Sequence, residues 1–315
     1  MPAVANPFLA TKRRPLVVGH RGVPALHQEN SLAGFRRAVA LGVPAIECDV
    51  RLTRDGHAVV LHDLDLARLT GAPGLVHDLT WDQLARRRIQ RALPMGIDAR
   101  GEPVVVRYER DEPIARLDEL LAEVGGQVAI NVELKLDLPI WWRTEIGEVA
   151  AREIARTGAQ DRVIVTSFDV RKLRAARRVE RDLALGFCFD DSMLSFARGL
   201  LDRLPPFVRD YQLDDRAPGH NARRALRRLL GTGAVGRLAS TRVVGAEHTL
   251  VGGDTVERMH RQGLAIGTHT LFPIGSTTGK PIAASAMTDA EALRLVALGV
   301  DWIETDDPER LMRLL

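Results

Sequence analysis

Apolar, β-rich runs alternate with amphipathic stretches along most of this 315-residue chain, and that alternation constrains its fold more than any other feature. The strand-like runs are 16–20, 45–51, 58–62, 128–134, 163–167, 184–189, 243–247, 264–269 and 301–305. Between most of them lie stretches with helical spacing of apolar residues: 31–41, 115–124, 144–157, 170–180, 254–262 and 288–298. Such alternation indicates a parallel sheet covered by helices. Repeated about eight times, with reactive side chains gathered at strand ends, it predicts a closed (β/α)8 TIM barrel rather than an open doubly wound sheet. The length fits one large α/β domain, and a single barrel domain is expected over residues 1–315. Nine candidates for eight places mean that one run is miscalled or lies outside the barrel.

One connection breaks the pattern. Only Thr53-Arg54-Asp55-Gly56 separates AIECDVRL from HAVVLHD. A parallel crossover needs a dozen residues or more, whereas Asp-Gly between two apolar runs is a hairpin signal. The chain is therefore expected to fold back there, distorting the barrel locally and bringing His62 towards Glu47 and Asp49. Two insertions are also expected over the barrel mouth or side. Residues 91–113 are polar and contain the strand-like Val104-Val105-Val106, and residues 205–242 are rich in Arg, Gly and Pro.

Composition excludes several classes. With 45% hydrophobic and 27% charged residues the chain reads as soluble and globular. A net charge of +3 does not supply the concentrated basic face expected of a nucleic-acid partner. Two cysteines, Cys48 and Cys188, make no disulfide framework and suit the cytoplasm. The N-terminal MPAVANPFLATKRR places its charges after a short apolar stretch, the reverse of a secretory signal. No uncharged apolar run is long enough for a transmembrane segment.

The chemistry-bearing residues cluster at strand ends: Gly19-His20-Arg21-Gly22, Glu29-Asn30-Ser31, Glu47-Cys48-Asp49 and His62-Asp63. Glu47 and Asp49 are two apart on a strand, so they share one face, and Cys48 points the other way. Glu133 and Lys135 repeat that geometry in NVELKL, and Asn131 shares their face. Inward charges in a barrel are costly unless paired or metal-bound. Three carboxylates and an amide suggest a hard divalent cation, Mg²⁺ or Ca²⁺; a buried Lys–Glu bridge without metal is the alternative. No His/Cys cluster has zinc spacing. His20 and His62 at one mouth can share general acid and base duties. Arg21 is suited to gripping phosphate with paired donors. Asn30 or Ser31 would cap the helix that follows, and Glu29 would orient Arg21 or His20. Lysine is scarce here, with only Lys12, Lys135, Lys172 and Lys280, which singles out the one beside Glu133.

GHRG, ENS, ECDV with TRDG, LHD, VELK, TSF and the closing ETDDP together resemble the glycerophosphodiester phosphodiesterase family. The likeness is strong over residues 16–89, continues through Ser167-Phe168 and resumes over 243–315. It implies a TIM barrel that hydrolyses a small-molecule glycerophosphodiester to glycerol phosphate and an alcohol. It also implies His20 and His62 as the acid/base pair, Glu47, Asp49 and Glu133 as ligands of a divalent cation, and Arg21 and Lys135 as phosphate contacts. The chain departs from the family pattern at Thr268-His269-Thr270, at Arg116 and in the arginine-rich 205–242 segment. These departures bear on the leaving group, so a lysophospholipid or sphingolipid headgroup diester stands as an alternative substrate. A catalytically silent phosphodiester-binding protein would require a lost catalytic group, and none is missing. Arg223, Arg224, Arg227 and Arg228 flank Leu226, Leu229 and Leu230, a pattern of either a solvated helix or a face for peripheral contact with anionic lipid.

Overall fold

A computed structural model describes residues 6–10, 13–137, 142–190, 240–279 and 281–315. Its strands in chain order are β1 Leu16–Gly19, β2 Ala45–Leu52, β3 Ala58–Val60, β4 Arg88–Ile89, β5 Ala92–Ile97, β6 Pro103–Arg107 and β7 Glu112–Pro113. They continue with β8 Ala115–Arg116, β9 Ala129–Leu134, β10 Val163–Ser167, β11 Ala184–Phe189, β12 Val243–Glu247, β13 Ala265–Leu271 and β14 Trp302–Thr305.

Eight of these strands run parallel in the order β1-β14-β13-β12-β11-β10-β9-β2, and β2 pairs with β1 to close the barrel. The ninth run is the one outside it. β3 folds back on β2 as an antiparallel hairpin, with Val50 opposite Val60, and Gly56 supplies the left-handed turn at φ 87°. Short β8 then pairs antiparallel with β3. The fold-back places the Leu61 amide on the Asp49 carbonyl at 2.9 Å, which carries His62 to the mouth.

Strand pleating sorts the side chains. Ile46, Cys48 and Val50 of β2, and Ile130, Val132 and Leu134 of β9, face outward into the layer shared with the helices Leu117–Val124, Glu145–Thr157 and Val170–Val179. The inward positions change character along the barrel axis. At the N-terminal end, Leu16, Val18, Ala45, Ala129, Ile164 and Trp302 form an apolar floor, closed by Phe8 edge-on to Trp302 at 5.6 Å. Gly267 is required there, because a Cβ would stand 1.8 Å from the Trp302 ring. Towards the C-terminal end the inward positions become Glu47, Asp49, Asn131, Glu133 and Glu304. Apolar floor and ionised mouth are thus successive turns of the same pleat.

The 91–113 insertion contains the β5–β6 hairpin, with Val104–Val106 inside β6, and belongs to a satellite core built on Leu61, Leu66, Leu69, Leu84, Ile89 and Leu93. It reaches the mouth through mutual backbone bonds of Ile97 and Ser276, at 3.1 and 2.9 Å. The helix 115–124 begins later than its sequence pattern, at Leu117, because Ala115 and Arg116 are drawn into pairing with β3. The helix Pro308–Leu314 has no counterpart in the periodicity reading; Asp307 caps it and Pro308 opens it. The second insertion lies outside the described residues apart from 240–242, and Arg223–Leu230 lie wholly outside them.

Candidate active site

β1 ends at Gly19, and His20 follows it at the rim, its amide bonded to the Thr305 carbonyl at 2.9 Å. Its Nδ1 lies 2.7 Å from Asp306 Oδ1, which leaves Nε2 facing the barrel axis, 4.0 Å from Glu47 Oε2. Asp306 also accepts the Ile274 amide at 2.9 Å, so it ties His20 to the loop over the mouth. The next residue, Arg21, adopts φ 55°. That left-handed bend aims its amide at Glu47 Oε2 (2.9 Å) and turns its guanidinium towards Glu29 (Nη1, 3.0 Å) and Asp49 (Nε, 3.2 Å).

Ser31, not Asn30, is the cap of helix Leu32–Ala40; its Oγ accepts the Gly34 amide. Asn30 is free for another task. At φ 57° its amide side chain clasps Asp49, donating to Oδ2 at 2.8 Å and accepting the Asp49 amide at 3.1 Å. Glu29 orients Arg21 rather than His20, and it also receives Arg68 through Nη1 and Nη2, at 2.9 and 2.8 Å. Arg68 Nε in turn meets Asp63 Oδ2 at 2.5 Å, and Asp63 Oδ1 holds His62 Nδ1 at 2.6 Å. A continuous ionic chain therefore runs His62–Asp63–Arg68–Glu29–Arg21. Arg68 was not singled out from the sequence, because it stands among forty arginines without a distinguishing pattern. Asp306 was visible only as part of ETDDP.

Glu47, Asp49 and Glu133 each present an oxygen, and these oxygens lie within 4.8 Å of one another. Lys135, just past the end of β9, lies 2.7 Å from Glu133 Oε1 and 3.2 Å from Asp49 Oδ1. Asn131, expected to support the ligands rather than to be one of them, lies behind the cluster. Its Nδ2 donates to Glu304 Oε1 at 2.7 Å and its Oδ1 accepts Thr166 Oγ1 at 2.8 Å, so both ends of the amide are spent beneath the cluster.

Burial would raise every carboxyl here, and the neighbours decide the outcome. Asp49 is held well below the usual carboxylate range by Lys135 and Arg21 despite its burial. Glu29 is likewise held at about 2 by Arg21 and Arg68. Glu47 goes the other way. Burial pushes it well up, and Asp49, Glu304 and Glu133 reinforce that. Its Oε1 is buried and has no hydrogen-bond partner. A hard cation among these oxygens would relieve both conditions, so the donor set fits a divalent ion with oxygen ligands. Burial lowers His62 to about 4, aided by Arg21 and Lys135, so the ring is neutral at neutral pH.

These groups face a cleft of about 470 Å³ whose walls include His20, Arg21, His62, Glu133 and Lys135 on one side. Phe168, His269 and the Pro273–Thr278 loop line the other side. His269 stands edge-on to Phe168, with ring centroids 6.2 Å apart.

The site is thus paired histidines and clustered carboxylates at the C-terminal mouth of an eight-stranded parallel barrel. Residues 20–310 match the Glycerophosphoryl diester phosphodiesterase family, and the chain belongs to it. It is similar to the glycerophosphodiester phosphodiesterase of Caldanaerobacter subterraneus subsp. tengcongensis, 32% identical over 176 residues, 56% of this chain and 67% of that protein. The glycerophosphodiester phosphodiesterase of Bacillus altitudinis is 30% identical over 154 residues, 48% of this chain and 57% of the relative. The matched stretch thus spans about two thirds or less of these relatives' own length. An Oleispira antarctica phosphodiesterase, solved in complex with the product sn-glycerol-3-phosphate, shares the fold with TM-score 0.65 at 18% identity, over 96% of each chain. A glycerophosphodiester phosphodiesterase from Agrobacterium tumefaciens does so with TM-score 0.63 at 18% identity, over 95% of this chain and 99% of that one.

Proposed function

We propose that this protein hydrolyses glycerophosphodiesters to glycerol phosphate and an alcohol, with Mg²⁺ or Ca²⁺ held by Glu47, Asp49 and Glu133. The observation that carries the reading is Glu47: a buried carboxylate with an unpartnered oxygen, in a cluster with Asp49 and Glu133, which line a cleft walled by two histidines. The bound cation would supply charge neutralisation of the phosphodiester.

The chain's own residues do the rest. Lys135 holds a phosphate oxygen as a point charge, and Arg21 contributes its guanidinium and the positive field that keeps Glu29 and Asp49 ionised. His62 is neutral near pH 7 and so able to accept a proton; its Nδ1 is occupied by Asp63, which leaves Nε2 for the reaction. His20, fixed through Nδ1 by Asp306, delivers the second proton at Nε2. The Oleispira product complex supports a glycerol phosphate product. The reading includes a cytoplasmic location, supported by two buried, unpaired cysteines, and a single catalytic domain. No helix among the described residues is long and apolar enough to cross a membrane.

The test is release of glycerol phosphate from glycerophosphocholine by purified protein. Turnover is expected with added Mg²⁺ or Ca²⁺ and is lost in chelator. Full activity in excess chelator would remove the metal from this scheme, and inertness towards every glycerophosphodiester would remove the activity.

A further inference from the structure

We propose that Arg51, Asp137 and Lys172 form an ionic bracket that sets the two reacting sides of the mouth, His62 and Lys135, at a fixed separation. The inference rests on the reading of His62 and Lys135 given above. None of the three faces the cleft, so their task is positioning.

Arg51 continues the inward face of β2, two residues beyond Asp49, yet it is buried rather than open to substrate. Its Nε and Nη2 both donate to the backbone carbonyl of His62, at 2.8 and 2.6 Å. Its Nη1 donates to the Leu136 carbonyl at 2.9 Å and to Asp137 Oδ1 at 2.6 Å. Asp137 Oδ2 lies 3.0 Å from Lys172 Nζ. Lys172 is fully buried near the start of helix Val170–Val179, and its ammonium donates to the Lys135 carbonyl. The path is thus unbroken: His62 carbonyl, Arg51, Asp137, Lys172, Lys135 carbonyl.

Three features argue against an incidental salt bridge. Two buried cations and one carboxylate are costly to keep where apolar packing would serve as well. The backbone groups they grip belong to the two residues whose side chains flank the phosphate in the proposed reaction. The fork on His62 also needs a planar guanidinium; a lysine offers one point donor there. The hairpin makes such a brace necessary. β3 leaves the barrel antiparallel to β2, so the barrel's own ladder does not fix His62 beyond the Leu61 amide.

Arg51→Lys and Lys172→Met test the two ends without leaving Asp137 unpaired. A displacement of about 1 Å costs up to about a hundredfold in rate. Arg51→Lys is therefore expected to lower kcat at least tenfold with KM within twofold, because it frees the acid/base side. Lys172→Met is expected to raise KM severalfold and lower kcat/KM at least tenfold, because it frees the phosphate side. A merely structural bridge predicts a lower Tm in both variants with kcat and KM per folded molecule unchanged, and that result overturns the proposal. Hydrogen exchange reads the bracket without any turnover. The Leu61 amide should exchange at least tenfold faster in Arg51→Lys, and the Lys135 amide in Lys172→Met. Unchanged exchange at both overturns the bracket even if the protein proves inert towards glycerophosphodiesters; an active wild type with unaffected variants overturns the bracket and leaves the activity standing.

Discussion

Two clusters of buried charge meet at Asp49, and they are balanced in opposite ways. On one side Glu29 and Asp63 are matched by Arg21 and Arg68, and both carboxyls are held down. On the other, Glu47, Glu133 and Glu304 crowd together with Lys135 paired only to Glu133 and Asp49, and burial drives Glu47 and Glu304 up. In the first cluster two carboxylates and two guanidiniums are matched in charge. The second is short of positive charge and holds an unpartnered buried oxygen. A pre-paired network makes a rigid frame, whereas an under-compensated one makes a binding site.

The largest expected effect falls on the histidines that stand over these clusters. His20→Ala and His62→Ala should each reduce kcat by two orders of magnitude or more, about the range for losing a general acid or base. Both lie at the rim, so melting temperature should change little. Near-normal turnover in either folded variant would remove that residue from the reaction.

A sharper comparison comes from the same substitution in each cluster. Glu29→Gln leaves two buried guanidiniums without their shared carboxylate and should destabilise the fold by about 3 kcal/mol. Glu47→Gln, in metal-free protein, removes a carboxyl whose ionisation the fold opposes and should be neutral or stabilising. Urea unfolding of both variants decides it, and equal losses would erase the distinction between frame and site.

Added Mg²⁺ or Ca²⁺ should then raise the wild-type stability, by about 2.7 kcal/mol at a hundredfold excess over Kd. Glu47→Gln, Asp49→Asn and Glu133→Gln should blunt that gain, and Glu29→Gln should not. A gain that survives in the first three variants places the cation elsewhere.

The smallest effect is in acid stability. His62 is neutral in the folded protein down to about pH 4, but protonates near pH 6.5 when unfolded. Its contribution is therefore complete above pH 6.5 and lost as pH falls towards 4, on the order of 1 kcal/mol for a ring with 22% of its side chain exposed. The Glu29 contribution persists to lower pH, fading between about 4.5 and 2. His62→Gln should flatten the upper window and leave the lower one. A wild-type curve without slope between pH 4 and 6.5 would contradict the assigned environment of His62.

The sequence by itself determined the barrel and the hairpin, and it named the carboxylates, histidines and lysine that the fold brings to one mouth. Alternating runs name the parallel strands, since a pleat with one face on helices and one on the axis demands that pattern. Asp55-Gly56 names the hairpin because too few residues remain for a crossover. The two-residue spacing places Glu47 with Asp49, and Glu133 with Lys135, because strand geometry has a period of two. Tertiary structure alone decided who pairs with whom. Arg68 and Arg51 come into contact with Glu29 and the His62 carbonyl from 39 and 11 residues away. Asn131 finds its partner Glu304 from 173 residues away. Glu47 is driven up because burial and the charges of Asp49, Glu304 and Glu133 around it outweigh the single opposing arginine, Arg21. Local pattern sets which face a side chain takes, and closure of the barrel sets which charges share that face, so the balance of charge in the mouth is a property of the closed fold.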